Sequence, residues 1–114
     1  NEPSAQTYLA LAYYYGRGVP QNHGEAFTWL SKAADSGHVP AQLLLSQMYY
    51  FGQGVPQSYE QAYMWTNVAA ARATADQRLA VVRLREALAE ALLAEQIASA
   101  QAQAVDRMKQ RSVR

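Results

Sequence analysis

Residues 16–21 read Gly-Arg-Gly-Val-Pro-Gln and residues 52–57 read Gly-Gln-Gly-Val-Pro-Gln, so one phrase occurs twice, 36 residues apart. The same shift carries Ala5, Gln6, Leu9, Tyr13 and Tyr14 onto Ala41, Gln42, Leu45, Tyr49 and Tyr50. It also carries Ala26, Trp29, Ala33 and Ala34 onto Ala62, Trp65, Ala69 and Ala70. Fourteen of the 31 positions from 5 to 35 are identical to their counterparts. A fixed period of this length is the signature of a repeat architecture, so two copies of one unit are present.

Outward from the loop, Ala5, Leu9, Ala12 and Tyr13 share one face of a helix running from about Ser4 to Tyr15. Gly16 ends it, because glycine takes the left-handed conformation that closes a helix, and Pro20 prevents quick resumption. A second helix begins near Asn22 or Gly24 and carries Ala26, Phe27, Leu30, Ala33 and Ala34 towards the first, ending at Ser36-Gly37. The second unit repeats this, with one helix from about Pro40 and another from about Ser58 to Ala71. Gly16, Gly18, Gly52 and Gly54 are therefore read as structural turn residues, with positive φ expected at Gly16 and Gly52.

The run Ala5-x3-Leu9-x3-Tyr13-x2-Gly16-x-Gly18-Val19, followed by Ala26-x2-Trp29-x3-Ala33-Ala34-x2-Gly37, resembles the Sel1-like repeat, a relative of the tetratricopeptide repeat. Residues 41–71 match almost as fully. Asn22 and Ser58 stand where the family often has Asp, and Ala71-Arg72-Ala73 replaces the usual terminal Gly. The resemblance implies an all-α, right-handed αα-hairpin solenoid that binds a protein or peptide, mostly as an adaptor in bacterial signalling, secretion or envelope systems. The expected organisation is one repeat at 1–38, a second at 39–74, and C-terminal capping helices with a basic tail at 75–114. The compartment stays open between bacterial envelope or periplasm and cytoplasm.

After Ala71 the motif stops, but a helical pattern continues. Val81, Leu84, Leu88 and Leu92 form one stripe, opposite Asp76, Arg83, Glu86 and Glu90. Ile97, Ala100, Ala104 and Met108 form another, and a straight helix would put Ile97 on the polar side of the first. A break near Leu93 to Glu95 is expected, and the segment should cap the array, since a terminal repeat must be covered.

Composition agrees with one globular unit. Half of the 114 residues are hydrophobic and 17% are charged, and one isoleucine stands against 22 alanines and 11 leucines, which favours helices over sheets. The chain starts at Asn1 with no initiator methionine or signal pattern, and reads as a processed or trimmed piece. No apolar run of membrane-spanning length occurs. A net charge of +1 gives no polyelectrolyte character, so neither nucleic acid nor anionic lipid is indicated. The basic excess lies in Arg107, Lys109, Arg111 and Arg114, read as a frayed terminus rather than a membrane contact. Arg72, Arg78, Arg83 and Arg85 alternate with acids and read as a solvated face.

Little here can carry catalysis. With no cysteine there is no thiolate nucleophile or Cys-based zinc site. His23 and His38 have no second ligand at helical spacing, so no metal is expected. None of the seven serines heads a nucleophile motif. Gly16-x-Gly18 lacks a third glycine and follows a helix, so it is a turn and not a dinucleotide loop. Trp29 and Trp65 recur at one repeat position and read as core. The expectation is no cofactor and no enzyme.

That leaves a binding surface. Thr7, Leu11 and Tyr14 lie opposite Leu9 on the first helix, and Leu43, Gln47 and Tyr50 are their equivalents in the second unit. These six are the candidate partner-binding residues, expected on the concave wall of the solenoid with the tyrosines as anchors. Two alternatives stand beside this: that the stripe meets a neighbouring repeat, or that it mediates homo-oligomerisation. Tyr8, Tyr15 and Phe51 are expected to pack at hairpin junctions.

Overall fold

The computed structural model describes residues 2–92 and 94–113. Six helices follow in order: α1 (Pro3–Tyr15), α2 (His23–Asp35), α3 (Val39–Phe51), α4 (Tyr59–Ala70), α5 (Ala75–Ala91) and α6 (Ala94–Val113). No strand occurs among the described residues. The starts of α1, α3 and α5 are evenly spaced by 36 residues. The motif thus ends near Ala71 while the spacing runs on, and α5 stands where the first helix of a third unit would begin. Val81 is the counterpart of Leu9 and Leu45 and is buried as Leu45 is.

The two loops are built alike, which explains their repetition. Gly16 and Gly52 cap α1 and α3 at φ 73° and 71°, their N–H groups donating to the carbonyls of Ala12 and Met48. Gly18 and Gly54 also have positive φ, 79° and 75°. Gln21 Nε2 donates to the Tyr14 carbonyl at 2.9 Å, and Gln57 Nε2 to that of Tyr50 at 2.8 Å. Asn22 and Ser58 then cap the next helices, accepting from the Glu25 and Gln61 N–H groups. A short polar side chain accepting from this position satisfies an orphan helix donor.

The hairpins pack through small residues. Ala10, Ala26, Ala33, Ala41 and Ala62 are all fully buried, so backbones approach closely, and Leu30, Leu45 and Met48 fill the space between. Each buried leucine contributes about 1.5–3 kcal/mol. Gln42 joins the units, its Nε2 donating to the Ala34 carbonyl at the end of α2.

One pair of positions differs in chemistry between the hairpins. Ala10 and Leu30 in the first are Ser46 and Thr66 in the second, both fully buried. Ser46 Oγ lies 2.7 Å from the Ala62 carbonyl oxygen and 2.6 Å from Thr66 Oγ1, which lies 2.8 Å from the same carbonyl. Two hydroxyl hydrogens serve three short contacts, so the groups are satisfied only together. Ser46→Ala and Thr66→Val should each cost about 1 kcal/mol. Their double variant should cost less than the sum by about 0.5 kcal/mol or more, as for residues in one network. A urea double-mutant cycle that adds without remainder would show the hydroxyls to be independent.

The C-terminal third breaks as its sequence suggests. Leu92, buried, is extended at φ −110° and ψ 145°, and α6 starts at Ala94. Leu93 itself lies outside the described residues. α5 packs on α4, and α6 lies along α4 with Ala100 and Ala104 buried. Gln103 and Gln61 are hydrogen-bonded at 3.2 Å. Arg107 is no frayed tail: its guanidinium pairs with Asp35 at 2.8 Å and lies over the Trp65 ring at 4.5 Å. Lys109 is exposed, and the Arg111 side chain and Arg114 lie outside the described residues. This cover separates the tryptophans. Trp65 is buried, whereas Trp29 is only half-buried beneath the Lys32 ammonium, and its expected core role holds only in part.

Candidate functional site

A groove of about 500 Å³ runs between α3 and α5, lined by Leu43, Gln47, Tyr50 and Phe51 on one side and Ala80, Arg83, Leu84 and Ala87 on the other. That volume is in the range of ligand and peptide sites. Three of the six candidate residues, Leu43, Gln47 and Tyr50, lie along it.

The corresponding place between α1 and α3 is nearly closed, a gap of about 40 Å³ lined by Leu11, Tyr14, Tyr15, Leu30, Leu44, Gln47 and Met48. Shifted by one repeat, Leu11, Tyr14 and Tyr15 become Gln47, Tyr50 and Phe51, and Leu44, Gln47 and Met48 become Ala80, Arg83 and Leu84. The two places are equivalent, but α5 offers a methyl group where α3 offers the isobutyl group of Leu44. Three missing carbons account for only a small part of the difference in volume.

The first half of the stripe is therefore spent differently from the second. Thr7 is buried and its hydroxyl donates to the Pro3 carbonyl one turn back, so it presents nothing to a partner. Leu11 and Tyr14 are half-buried against α3. The Tyr14 hydroxyl donates to Gln53 Oε1 in the second loop, and its ring lies 4.8 Å from that of His23. Tyr50 has the matching ring contact with Tyr59, at 5.3 Å, and its flank opens on the groove. The structure thus brings Leu43, Gln47 and Tyr50 together and uses Leu11 and Tyr14 where two repeats meet. Ala80 carries no signal in the sequence, and Leu84 reads there only as part of the capping stripe, because the motif that marks the binding stripe ends before them.

Tyr8, Tyr15 and Phe51 are not buried at junctions: they are 74%, 55% and 65% exposed, and Tyr15 only edges the gap between α1 and α3. Leu44, the equivalent of Tyr8, is covered by the first hairpin; no described residue covers Tyr8. Gly18 and Gly54 differ in the same way. A Cβ on Gly54 would lie 2.6 Å from the His23 carbonyl oxygen, whereas one on Gly18 would meet nothing within 4 Å.

The site's electrostatics rest on Arg83, which is exposed and makes no ion pair among the described residues. Burial pushes the Tyr49 phenol above its ordinary value, against the pull of Arg107. A phenol held in that direction is no base at neutral pH. Among the described residues no three His, Asp or Glu side chains gather as metal ligands would. No helix of the described residues is long and apolar enough to cross a membrane.

The family model for the Sel1 repeat matches residues 3–38 and again 39–73. Among solved structures, the chain is similar to a protective antigen of uropathogenic Escherichia coli strains that displays an SLR fold, with 31% identity and a TM-score of 0.87. That alignment covers 95% of this chain and 22% of the antigen. It is also similar to a Sel1 repeat protein from Oxalobacter formigenes, with 32% identity and a TM-score of 0.66, covering 72% of this chain and 62% of that one. The chain thus spans less than two thirds of either relative. No curated protein matches it.

Proposed function

Because the chain belongs to the Sel1 repeat family, whose members generally mediate protein–protein interaction, we propose that it is a non-catalytic binding module whose protein or peptide partner seats between α3 and α5. The observation that carries this is the groove of about 500 Å³, open where the equivalent inter-repeat gap is about 40 Å³. Its lining is apolar at Leu43, Leu84, Ala80 and Ala87, with Tyr50 and Phe51 at one end. Aromatic side chains of this kind make good anchors because they offer a large rigid face at little entropic cost. The centre of the site moves from the whole stripe to its second half and to α5.

A second reading is favoured by a separate observation. Tyr8 is 74% exposed and Gly18 has open space before it. Their equivalents Leu44 and Gly54 both lie against the first hairpin. The face of α1 away from α3 would accordingly suit a further αα-hairpin, from another copy or a longer chain.

Leu43→Asp and Tyr8→Asp separate the two. Each alters one edge, and each should leave the melting midpoint within a few degrees. Capture of proteins from the native host should fall at least tenfold with Leu43→Asp and stay unchanged with Tyr8→Asp, the loss expected of a central anchor position. Unchanged capture with Leu43→Asp, together with concentration-dependent sedimentation abolished by Tyr8→Asp, would favour stacking instead.

A further inference from the structure

We propose that the groove between α3 and α5 selects a peptide segment carrying a bulky apolar side chain next to a carboxylate, the apolar group resting on Leu43 and Leu84 and the carboxylate pairing with Arg83. The inference rests on the binding reading above and adds the chemistry of the partner. Arg83 is the one charged side chain in the lining. Leu79 and Ala80 precede it by one turn, and Glu86 and Ala87 follow by one turn, so Glu86 is the acid within reach on its own helix. That pair is not formed, and among the described residues the only ion pair is the distant one between Arg107 and Asp35. Arg83 therefore presents an unneutralised guanidinium beside an apolar floor.

The repeat itself makes the charge and the space conspicuous. At the equivalent positions α3 carries Gln47 and Leu44, neutral and space-filling, and that gap is nearly closed. On α5 both positions change together, to Arg83 and Ala80, and the gap opens. A planar guanidinium matches a carboxylate in a two-pronged, charge-assisted geometry. Partial cover by a bound apolar side chain strengthens that attraction by excluding water. Gln47, exposed on the opposite wall, can hydrogen-bond the peptide backbone but supplies no competing charge. The recognised element is thus one large apolar residue within a turn or two of an aspartate or glutamate.

The test uses a phage-displayed library of random dodecapeptides selected against the whole chain. Enriched peptides are then labelled with fluorescein and titrated by anisotropy. Enrichment of Leu, Ile, Phe or Trp beside Asp or Glu is expected. Ala80→Trp, which fills the groove from an exposed position, should weaken binding at least tenfold, as should Arg83→Glu, with melting midpoints unchanged. Weakening by Arg83→Glu should be partly reversed by peptides whose acid is replaced with lysine. Peptides sensitive to Ala80→Trp but indifferent to Arg83→Glu would overturn the acidic pairing and leave the groove as the binding site. No enrichment, or binding indifferent to both variants, would overturn the proposal together with the reading it rests on.

Discussion

Gly54→Ala is expected to destabilise the chain by about 2–5 kcal/mol, whereas Gly18→Ala, the same change at the equivalent position, should cost about 1–2 kcal/mol. Both glycines have positive φ, so an added Cβ suffers the left-handed penalty of about 1–2 kcal/mol at either site. Only Gly54 adds a collision, because its Cβ would stand 2.6 Å from the His23 carbonyl oxygen and 2.8 Å from its carbon. Those are backbone atoms in the first turn of α2, which cannot rotate aside as a side chain can. Forced overpacking of that kind costs a further 1–3 kcal/mol or so. The measurement is a pair of urea denaturation curves. Equal shifts in midpoint would mean that the second loop does not seat on the first hairpin.

Removal of α6 should have the other large effect. A chain ending at Leu92 loses the cover that Arg107 and its neighbours place over Trp65, together with the burial of Ala100 and Ala104. Met64 beside it is also almost fully buried, and full exposure of either side chain forfeits about 1.5–3 kcal/mol. The sum is a large share of the 5–15 kcal/mol or so by which a domain is stable. The melting midpoint should fall by about 10 °C or more, and the truncated chain should aggregate through the bared tryptophan. A truncated chain that stays monomeric and melts at the parent midpoint would make α6 an appendage rather than a cap.

Much of this molecule is written locally. Gly-x-Gly-Val-Pro-Gln, read twice, specifies two loops, because left-handed glycines, a proline and a glutamine bonded to a carbonyl seven residues back each have one conformational use there. The spacing of Ala5, Leu9 and Tyr13 specifies the helix before each loop, and the second apolar stripe, at Ile97, required the break that falls at Leu92. The stripe of Thr7, Leu11 and Tyr14 opposite Leu9 was also legible as a stripe. Its division of labour was not, since Leu11 and Tyr14 carry the same letters and wheel positions whether a helix or water lies before them.

What the sequence alone determined is the repeat, its hairpins and its helical C-terminal segment, all consequences of short-range backbone preference and periodicity. Only the tertiary structure decided which residues are surface. Thr7 turned inward to its own helix, Tyr8 was left bare while its equivalent Leu44 was covered, and Arg107 was drawn from an apparent tail onto Trp65 and Asp35. It also decided that α5 takes the place of a third first helix, with Ala80 and Arg83 where α3 has Leu44 and Gln47. The physical reason is that burial and close approach belong to pairs of elements far apart in the chain. A periodic pattern says which face of a helix is apolar, and only the neighbour that arrives says whether that face is filled or left as a groove.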